Sequence, residues 1–247
     1  MGCSTNYWIE FNMNNILAID SSSEYLCLGI SINLKHYQQQ LKIGNRHSEV
    51  ILPEIDNLLK IAGISLKEIN LIAYNYGPGA FTGLRIGLSC ALGLAYTHKI
   101  PLAAIPAFML YSNDKTISSQ YLGVCLDARL NQVYFAIIDQ SSYNFIVEPC
   151  LLEPENVHEI ILGCELIKPD SFQITGNGIS VYKDKINDSI FTNYKHYQQE
   201  YPKIERMLKL AENTHYQSYN YTNADLMYIR NKVALNLEEQ KRNKQLS

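Results

Sequence analysis

Apolar and polar positions along the first hundred residues fall into short runs and one helical stripe. Asn15–Asp20 (NILAID) is a compact apolar run and Tyr25–Ile32 (YLCLGISI) is rich in β-formers, so both predict strands; Tyr37–Ile43 is more polar and suits an edge. The link Ser21–Glu24 is short enough for a hairpin. Ile51, Ile55, Leu58 and Ala62 then share one stripe, with Leu52 and Leu59 beside it, which predicts a helix. Gly63 suits its C-cap, and Pro53 belongs in its first turns or kinks it. Ile69–Tyr74 predicts a strand, and Phe81–Tyr96 a helix opened by the turn Gly77-Pro78-Gly79. The order is β-β-β-α-β-α.

The second half repeats that order. Tyr121–Leu126 (YLGVCL) runs into Asp127 as the first run ends in Asp20. Val133–Asp139 and Phe145–Leu151 predict strands, Pro154–Leu162 a helix, Phe172–Thr175 a strand, and Ile179–Ile186 a helix after Gly176-Asn177-Gly178. Two copies predict two α/β lobes, over residues 14–105 and 106–237, with a loose extension at 1–13 and a polar tail at 238–247. The two strand-ending aspartates are expected to face a cleft between the lobes, where open α/β sheets bind ligands. Beyond Lys195 the chain turns polar and tyrosine-rich. Lys203–Ala211 predicts a helix, and Asp225–Leu237 mixes apolar and basic residues.

Composition narrows the function classes. The 247 residues make one large domain or two small ones, and 47% hydrophobic against 18% charged residues excludes a mainly disordered chain. A net charge of −3 provides no surplus for gripping nucleic acid unaided. Arg230, Lys232, Lys241, Arg242 and Lys244 do form a basic stretch near Tyr219, Tyr221 and Tyr228, which is either a solvated chain end or a contact for phosphate and bases. The six cysteines include no C-x-x-C pair; Cys27, Cys90 and Cys125 lie in apolar runs and read as buried thiols of a reducing, cytoplasmic compartment. No apolar stretch reaches the ~18 residues of a membrane span. The start, MGCSTNYWIEFNMNN, is not expected to be a secretory leader.

Residues 76–96 (YGPGAFTGLRIGLSCALGLAY) concentrate the unusual features. A glycine turn before a helix is one way to bind phosphate, but no Lys-Ser or Lys-Thr follows, and Arg85 is the segment's one cation. Gly83, Gly87, Ala91 and Ala95 recur every four residues as a small-residue ridge, with Gly93 nearby and Leu84, Leu88 and Leu92 on an adjacent stripe. Each glycine costs about 0.8–1 kcal/mol in a helix, so something must approach closely. Both faces are satisfied within one lobe, or the ridge and the 47–62 stripe form a docking surface for a partner.

ILAIDSSSE at 16–24, the run from RHSEVILPEI to IPLAAI at 46–105, LDARLNQVY at 126–134 and YIRNKVAL at 228–235 resemble the bacterial TsaB (YeaZ) family, from about residue 14 to 237. The resemblance implies the duplicated fold of actin-like ATPases, sugar kinases and Hsp70, which is ribonuclease H-like in each lobe. It also implies a part in forming N6-threonylcarbamoyladenosine at position 37 of tRNAs that read ANN codons. In that pathway the paralogue TsaD transfers the group, and TsaB is the non-catalytic partner that TsaD and the ATPase TsaE require. Paralogues pair through the first two helices, so the implied interface here is Ile51, Ile55, Leu58, Leu59, Gly83, Arg85, Gly87 and Ala91. A homodimer through the same helices is expected when the partner is absent, with tRNA held mainly by the complex.

The residues fit a loss of chemistry. The catalytic relative carries H-x-x-x-H after the segment matching Ile100–Ile105, where two imidazoles one turn apart hold a metal. The aligned positions here are Ala107 and Tyr111, and no H-x-x-x-H occurs in the chain. His47 reads as a helix-start or packing residue. Active relatives also place a glycine-bearing turn after each strand-ending aspartate, whereas this chain has Asp20-Ser21-Ser22-Ser23 and Asp127-Ala128-Arg129. No resident cofactor is implied. A weak ATP or ADP site stays open through Asp20, Ser21, Ser22, Asp127, Arg129, Gly176 and Gly178; otherwise the aspartates only close their own turns. A small-molecule kinase of the same fold and a metallopeptidase-like hydrolase are the alternative functions.

Overall fold

The computed structural model describes residues 15–112, 119–197, 201–213 and 216–230. The chain first builds β1 (Asn15–Asp20), β2 (Tyr25–Ile32), β3 (Lys35–Lys42), α1 (His47–Ala62), β4 (Leu71–Gly77), α2 (Phe81–His98) and β5 (Leu102–Pro106). It then builds β6 (Tyr121–Arg129), β7 (Gln132–Asp139), β8 (Phe145–Leu152), α3 (Val157–Gly163), β9 (Phe172–Thr175), α4 (Asn177–Val181), α5 (Ser189–Asn193) and β10 (Lys195–Tyr197). It ends with α6 (Ile204–Glu212) and β11 (Gln217–Tyr219). The sheets run β11-β5-β4-β1-β2-β3 and β10-β9-β6-β7-β8. In each, three antiparallel strands lead into parallel neighbours of the first strand, so the duplicated β-β-β-α-β-α order is present.

The chain divides into two compact units, but not where the sequence suggests. The first comprises residues up to Pro106 together with Lys203–Leu226; the second begins at Ala107, ends at Pro202 and resumes at Met227. The expected second lobe over 106–237 is therefore corrected, because α6 and β11 belong to the first unit. The physical reason is a row of small residues. Gly29, Ala18, Ala73 and Ala103 pair in register across β2, β1, β4 and β5, so they share one face of the sheet. A Cβ on Gly29 would meet Leu208 Cδ1 at 3.0 Å, which places α6 over that floor. Ile204, Met207, Leu208, Leu210 and Ala211 bury the helix's apolar face there. The opposite face carries Leu17, Ile19, Leu28 and Ile72 against Ile51, Ile55 and Leu58 of α1 and Leu84, Ala91 and Ala95 of α2.

The second unit follows the same plan. Cys125, Phe135, Ile137 and Ile174 pack with Val157, Ile161, Ile179 and Ile190 from α3, α4 and α5. The other face, with Leu122, Val124, Ala136 and Ile138, is covered by the short 3-10 turn Ala107–Tyr111 and by Met227 and Ile229.

Some boundaries differ from expectation. The helix expected over 154–162 is a 3-10 turn followed by α3, and that over 179–186 is the shorter α4. Gly63 caps α1 in the left-handed region at φ +75°, its N–H donating to the carbonyls of Leu59 and Lys60. No helix is long and apolar enough to cross a membrane among the described residues. The expected extension at 1–13, the polar tail at 238–247, Cys3, and Lys232, Lys241, Arg242 and Lys244 lie outside the described residues.

Candidate functional site

Asp20 is the last residue of β1, whereas β6 runs two residues past Asp127, which does not end its strand as expected; both aspartates nevertheless close the same local turn. Asp20 Oδ1 accepts from the Ser22 N–H at 2.9 Å, and Asp127 Oδ1 from the Arg129 N–H at 2.8 Å. A carboxylate bonding the backbone two residues on is an Asx turn, a purely local preference. Asn75, buried in β4, donates to Asp20 Oδ1 and Ser22 Oγ and accepts from the Gly77 N–H. In the second unit Tyr182 donates to Asp127 Oδ1 at 2.9 Å, and the Asn177 side chain accepts from the Asp127 N–H. Burial first, and then the Asp127 carboxylate, hold the Tyr182 phenol above its usual value. Neither Asn75 nor Tyr182 stands out by motif; the signal for Asn75 is a lone amide inside the apolar strand LIAYNYG.

The proposed nucleotide residues are largely engaged inside their own units. Ser21 is 2% exposed and its hydroxyl donates to the Gly83 carbonyl at 2.9 Å. Ser22 accepts from Asn75 through Oγ and from the Ala80 N–H through its carbonyl. Arg129 is exposed, with its guanidinium 3.2 Å from Asp127 Oδ2. Gly176 and Gly178 have a packing reason to be glycine: a Cβ would lie 2.1 Å from the Cys125 carbonyl and 2.9 Å from its sulfur.

The glycine ridge of α2 has the same explanation, which corrects the partner-interface reading. A Cβ on Gly83 would lie 2.0 Å from the Ser21 carbonyl oxygen, and one on Gly87 2.5 Å from Ser21 Oγ. Ala91 is fully buried. On α1, Ile51, Ile55, Leu58 and Leu59 are also buried in the core of their own unit. Of the eight expected interface residues only Arg85 is exposed, its guanidinium 3.8 Å above the Phe81 ring. The outward face of α2 is instead Arg85, Ser89, Gly93 and Tyr96, and among the described residues nothing lies within 4 Å of a Cβ built on Gly93. Leu52 and Ile61 of α1 are exposed as well.

His47 is buried at the start of α1, with Nε2 3.3 Å from the Tyr25 carbonyl, a packing position. Ala107 and Tyr111 are each 3% exposed within the apolar face of the second sheet. No group of His, Cys, Asp and Glu with metal-holding geometry occurs among the described residues.

A buried thiol stands beside each aspartate. Cys27 pairs in register with Asp20, and Cys125 lies two residues before Asp127. Burial, then the aspartate charge, pushes both thiols well up; burial alone pushes Cys90, half-buried rather than buried, to about 11. The sign follows directly. Unfolded thiols ionise from about pH 8.5 while the folded ones keep their protons, so the unfolded state binds fewer protons and stability falls as pH rises. Cys27 and Cys125 should each contribute about 1.4 kcal/mol of loss per pH unit above pH 9. Urea unfolding at pH 8, 9 and 10 checks this, and replacing both cysteines with alanine should flatten the slope.

Comparison with known proteins agrees with this arrangement. A family model described as TsaD, tRNA N6-adenosine threonylcarbamoyltransferase, matches residues 41–234. The tRNA threonylcarbamoyladenosine biosynthesis protein TsaB of Escherichia coli (strain K12) is 32% identical over 154 residues, covering 58% of this chain and 64% of that protein. The protein of the same name from Haemophilus influenzae is 32% identical over 133 residues, 49% of this chain and 52% of its own length. The match to these relatives thus spans between half and two thirds of their length. The Bacillus subtilis (strain 168) TsaB is 27% identical over 184 residues, 72% of this chain and 77% of its own. YeaZ from Pseudomonas aeruginosa superposes with a TM-score of 0.75 at 23% identity, over 87% of this chain and all of that one, which shows a shared fold. With the doubled sheet order and most of the chain inside the family model, this chain belongs to the TsaD-type family, on its TsaB (YeaZ) branch.

Proposed function

We propose that this chain is a non-catalytic accessory subunit in the formation of N6-threonylcarbamoyladenosine at position 37 of tRNAs reading ANN codons. It would activate a TsaD-type transferase, together with the ATPase TsaE, by offering a surface. The observation that carries the reading is the site of the missing histidines. Ala107 and Tyr111 are buried in an apolar core, so that position packs a sheet and offers no imidazole. The carboxylates of Asp20 and Asp127 close turns in their own units, and the reading needs no resident cofactor. The names of the TsaB relatives, which refer to tRNA threonylcarbamoyladenosine biosynthesis, support the pathway.

The docking surface of this reading is the outward face of α2. A glycine in the middle of an exposed helix costs about 0.8–1 kcal/mol. Nothing among the described residues needs Gly93, whereas a helix laid across Ser89 and Gly93 would. The same face would pair two copies of this chain when the transferase is absent. Reconstitution tests the function: transferase paralogue, ATPase, threonylcarbamoyl-adenylate and tRNA, with modified nucleoside measured by mass spectrometry. Omitting this chain should reduce the product to background, and an unchanged yield defeats the reading. Gly93→Arg points into open space, so it should leave the fold intact and raise the dissociation constant for the paralogue at least about tenfold, or 1.4 kcal/mol. Unchanged affinity would remove this face from the interface.

A further inference from the structure

The turn joining β6 to β7 is more strained than a tight hairpin requires. Arg129 pairs with Gln132, leaving Leu130 and Asn131 as the two loop residues, at φ +52° and +63°. A two-residue hairpin needs that left-handed pair. It does not need the φ of +63° at Arg129. Arg129 lies where the register shifts between Asp127 and Arg129, and such a bulge re-aims a side chain. Left-handed backbone is unfavourable for arginine and for leucine, and strain of this kind concentrates where a segment binds something.

The side chain so aimed is 86% exposed, and a second arginine reaches the same turn. In the run after Leu226, Met227 and Ile229 pack against the apolar face of the second sheet, while Tyr228 is 45% exposed. Arg230 follows, donating through one guanidinium nitrogen to Gln132 Oε1 at 2.7 Å and to the Arg129 carbonyl at 3.5 Å. The one carboxylate partner seen for either arginine is Asp127, whose Oδ1 already accepts from Tyr182 and from the Arg129 N–H. Arg129 therefore has one carboxylate, already engaged by two other donors, and Arg230 has only neutral acceptors among the described residues.

We propose that Arg129 and Arg230 form a fork for the phosphodiester backbone of RNA, with Leu130 beside it. A guanidinium presents its donors in the planar arrangement that phosphate oxygens accept. A free nucleotide carries the same phosphate, but its sites are concave and cover the base. Here Arg129 and Leu130 are exposed at a hairpin tip, which suits a strand of phosphates passing over it. The inference rests on the tRNA reading for the identity of the polymer, and on geometry for the site.

The test is fluorescence anisotropy of the full chain, without any partner, against a fluorescein-labelled RNA stem-loop over a series of salt concentrations. Wild type should bind with a logarithmic salt slope that reports its phosphate contacts. Arg129→Gly should weaken binding about tenfold at low salt and make the slope shallower by about 0.7–0.9. Because glycine accepts the left-handed backbone, this variant should melt no lower than wild type, which separates lost binding from lost folding. Arg230→Gln should act in the same direction, and Lys67→Ala, exposed on the first unit, should change nothing. No binding by wild type, or an unaltered slope in Arg129→Gly, overturns the proposal. So does competition by adenosine monophosphate as effective, mole for mole, as the stem-loop, since the fork would then serve a free nucleotide. A chain that activates its transferase yet shows no arginine-dependent RNA binding defeats this proposal and leaves the scaffold reading intact.

Discussion

Gly83→Ala is expected to destabilise the protein by about 3 kcal/mol or more, at the upper end of overpacking changes. The added carbon would lie 2.0 Å from the Ser21 carbonyl oxygen and 3.1 Å from the carbon bearing it. Both are backbone atoms, and neither is able to move aside. The Ser21 hydroxyl is bonded to the Gly83 carbonyl, the Ala80 N–H to the Ser22 carbonyl, and the Ser22 N–H to Asp20. The variant must either lift the first turn of α2 off β1 or break the Asp20 turn. Gly93→Ala is the matched control, because the same helix and chemistry meet open space there. It should gain about 0.8–1 kcal/mol from helix propensity alone. Urea unfolding of the two variants measures the contrast. A Gly83→Ala chain within 1 kcal/mol of wild type would refute the close approach.

Leu208→Ala should cost about 2–5 kcal/mol, the range for emptying a buried leucine site. Leu208 is fully buried, and its Cδ1 lies over Gly29 of β2. The informative part of the outcome is where protection is lost. Since α6 covers the small-residue floor of the six-stranded sheet, hydrogen exchange should accelerate in β1, β2 and β4, far from position 208 in sequence. Faster exchange confined to α6 itself would make that helix an appendage. It would contradict the assignment of Lys203–Leu226 to the first unit.

Local features were the legible ones. β1, β2 and β9 begin and end where the apolar runs do, because Ser21–Ser23, Asn33 and Gly176 interrupt them with residues that favour turns. The Asx turns at Asp20 and Asp127 were equally readable, since both involve a residue and the one two positions on. Non-local packing was not. A stripe of glycines states that something comes close without saying what. For Gly83 and Gly87 it is the chain's own Ser21; Gly93, which breaks the ridge's spacing, faces outward. The return of α6 to the first sheet was hidden for the same reason. Its own periodicity predicts a helix correctly, but its partners Ala18, Gly29, Ala73 and Ala103 lie 100 or more residues upstream and read individually as ordinary strand residues. β5 escaped notice because LAAIP is short and alanine-rich, with little β-branched character.

The discontinuous first unit constrains how the protein is made. Its sheet is half-covered when Pro106 leaves the ribosome, and the helix that completes it begins only at Ile204. At ~5–20 residues per second, synthesis of the intervening unit takes roughly 5–20 s. During that interval the nascent chain carries an alanine- and glycine-floored sheet face open to other nascent chains. A polypeptide arrested before Lys203 would therefore need a chaperone at that face to escape aggregation, even though every strand of its amino-terminal half had already been synthesised.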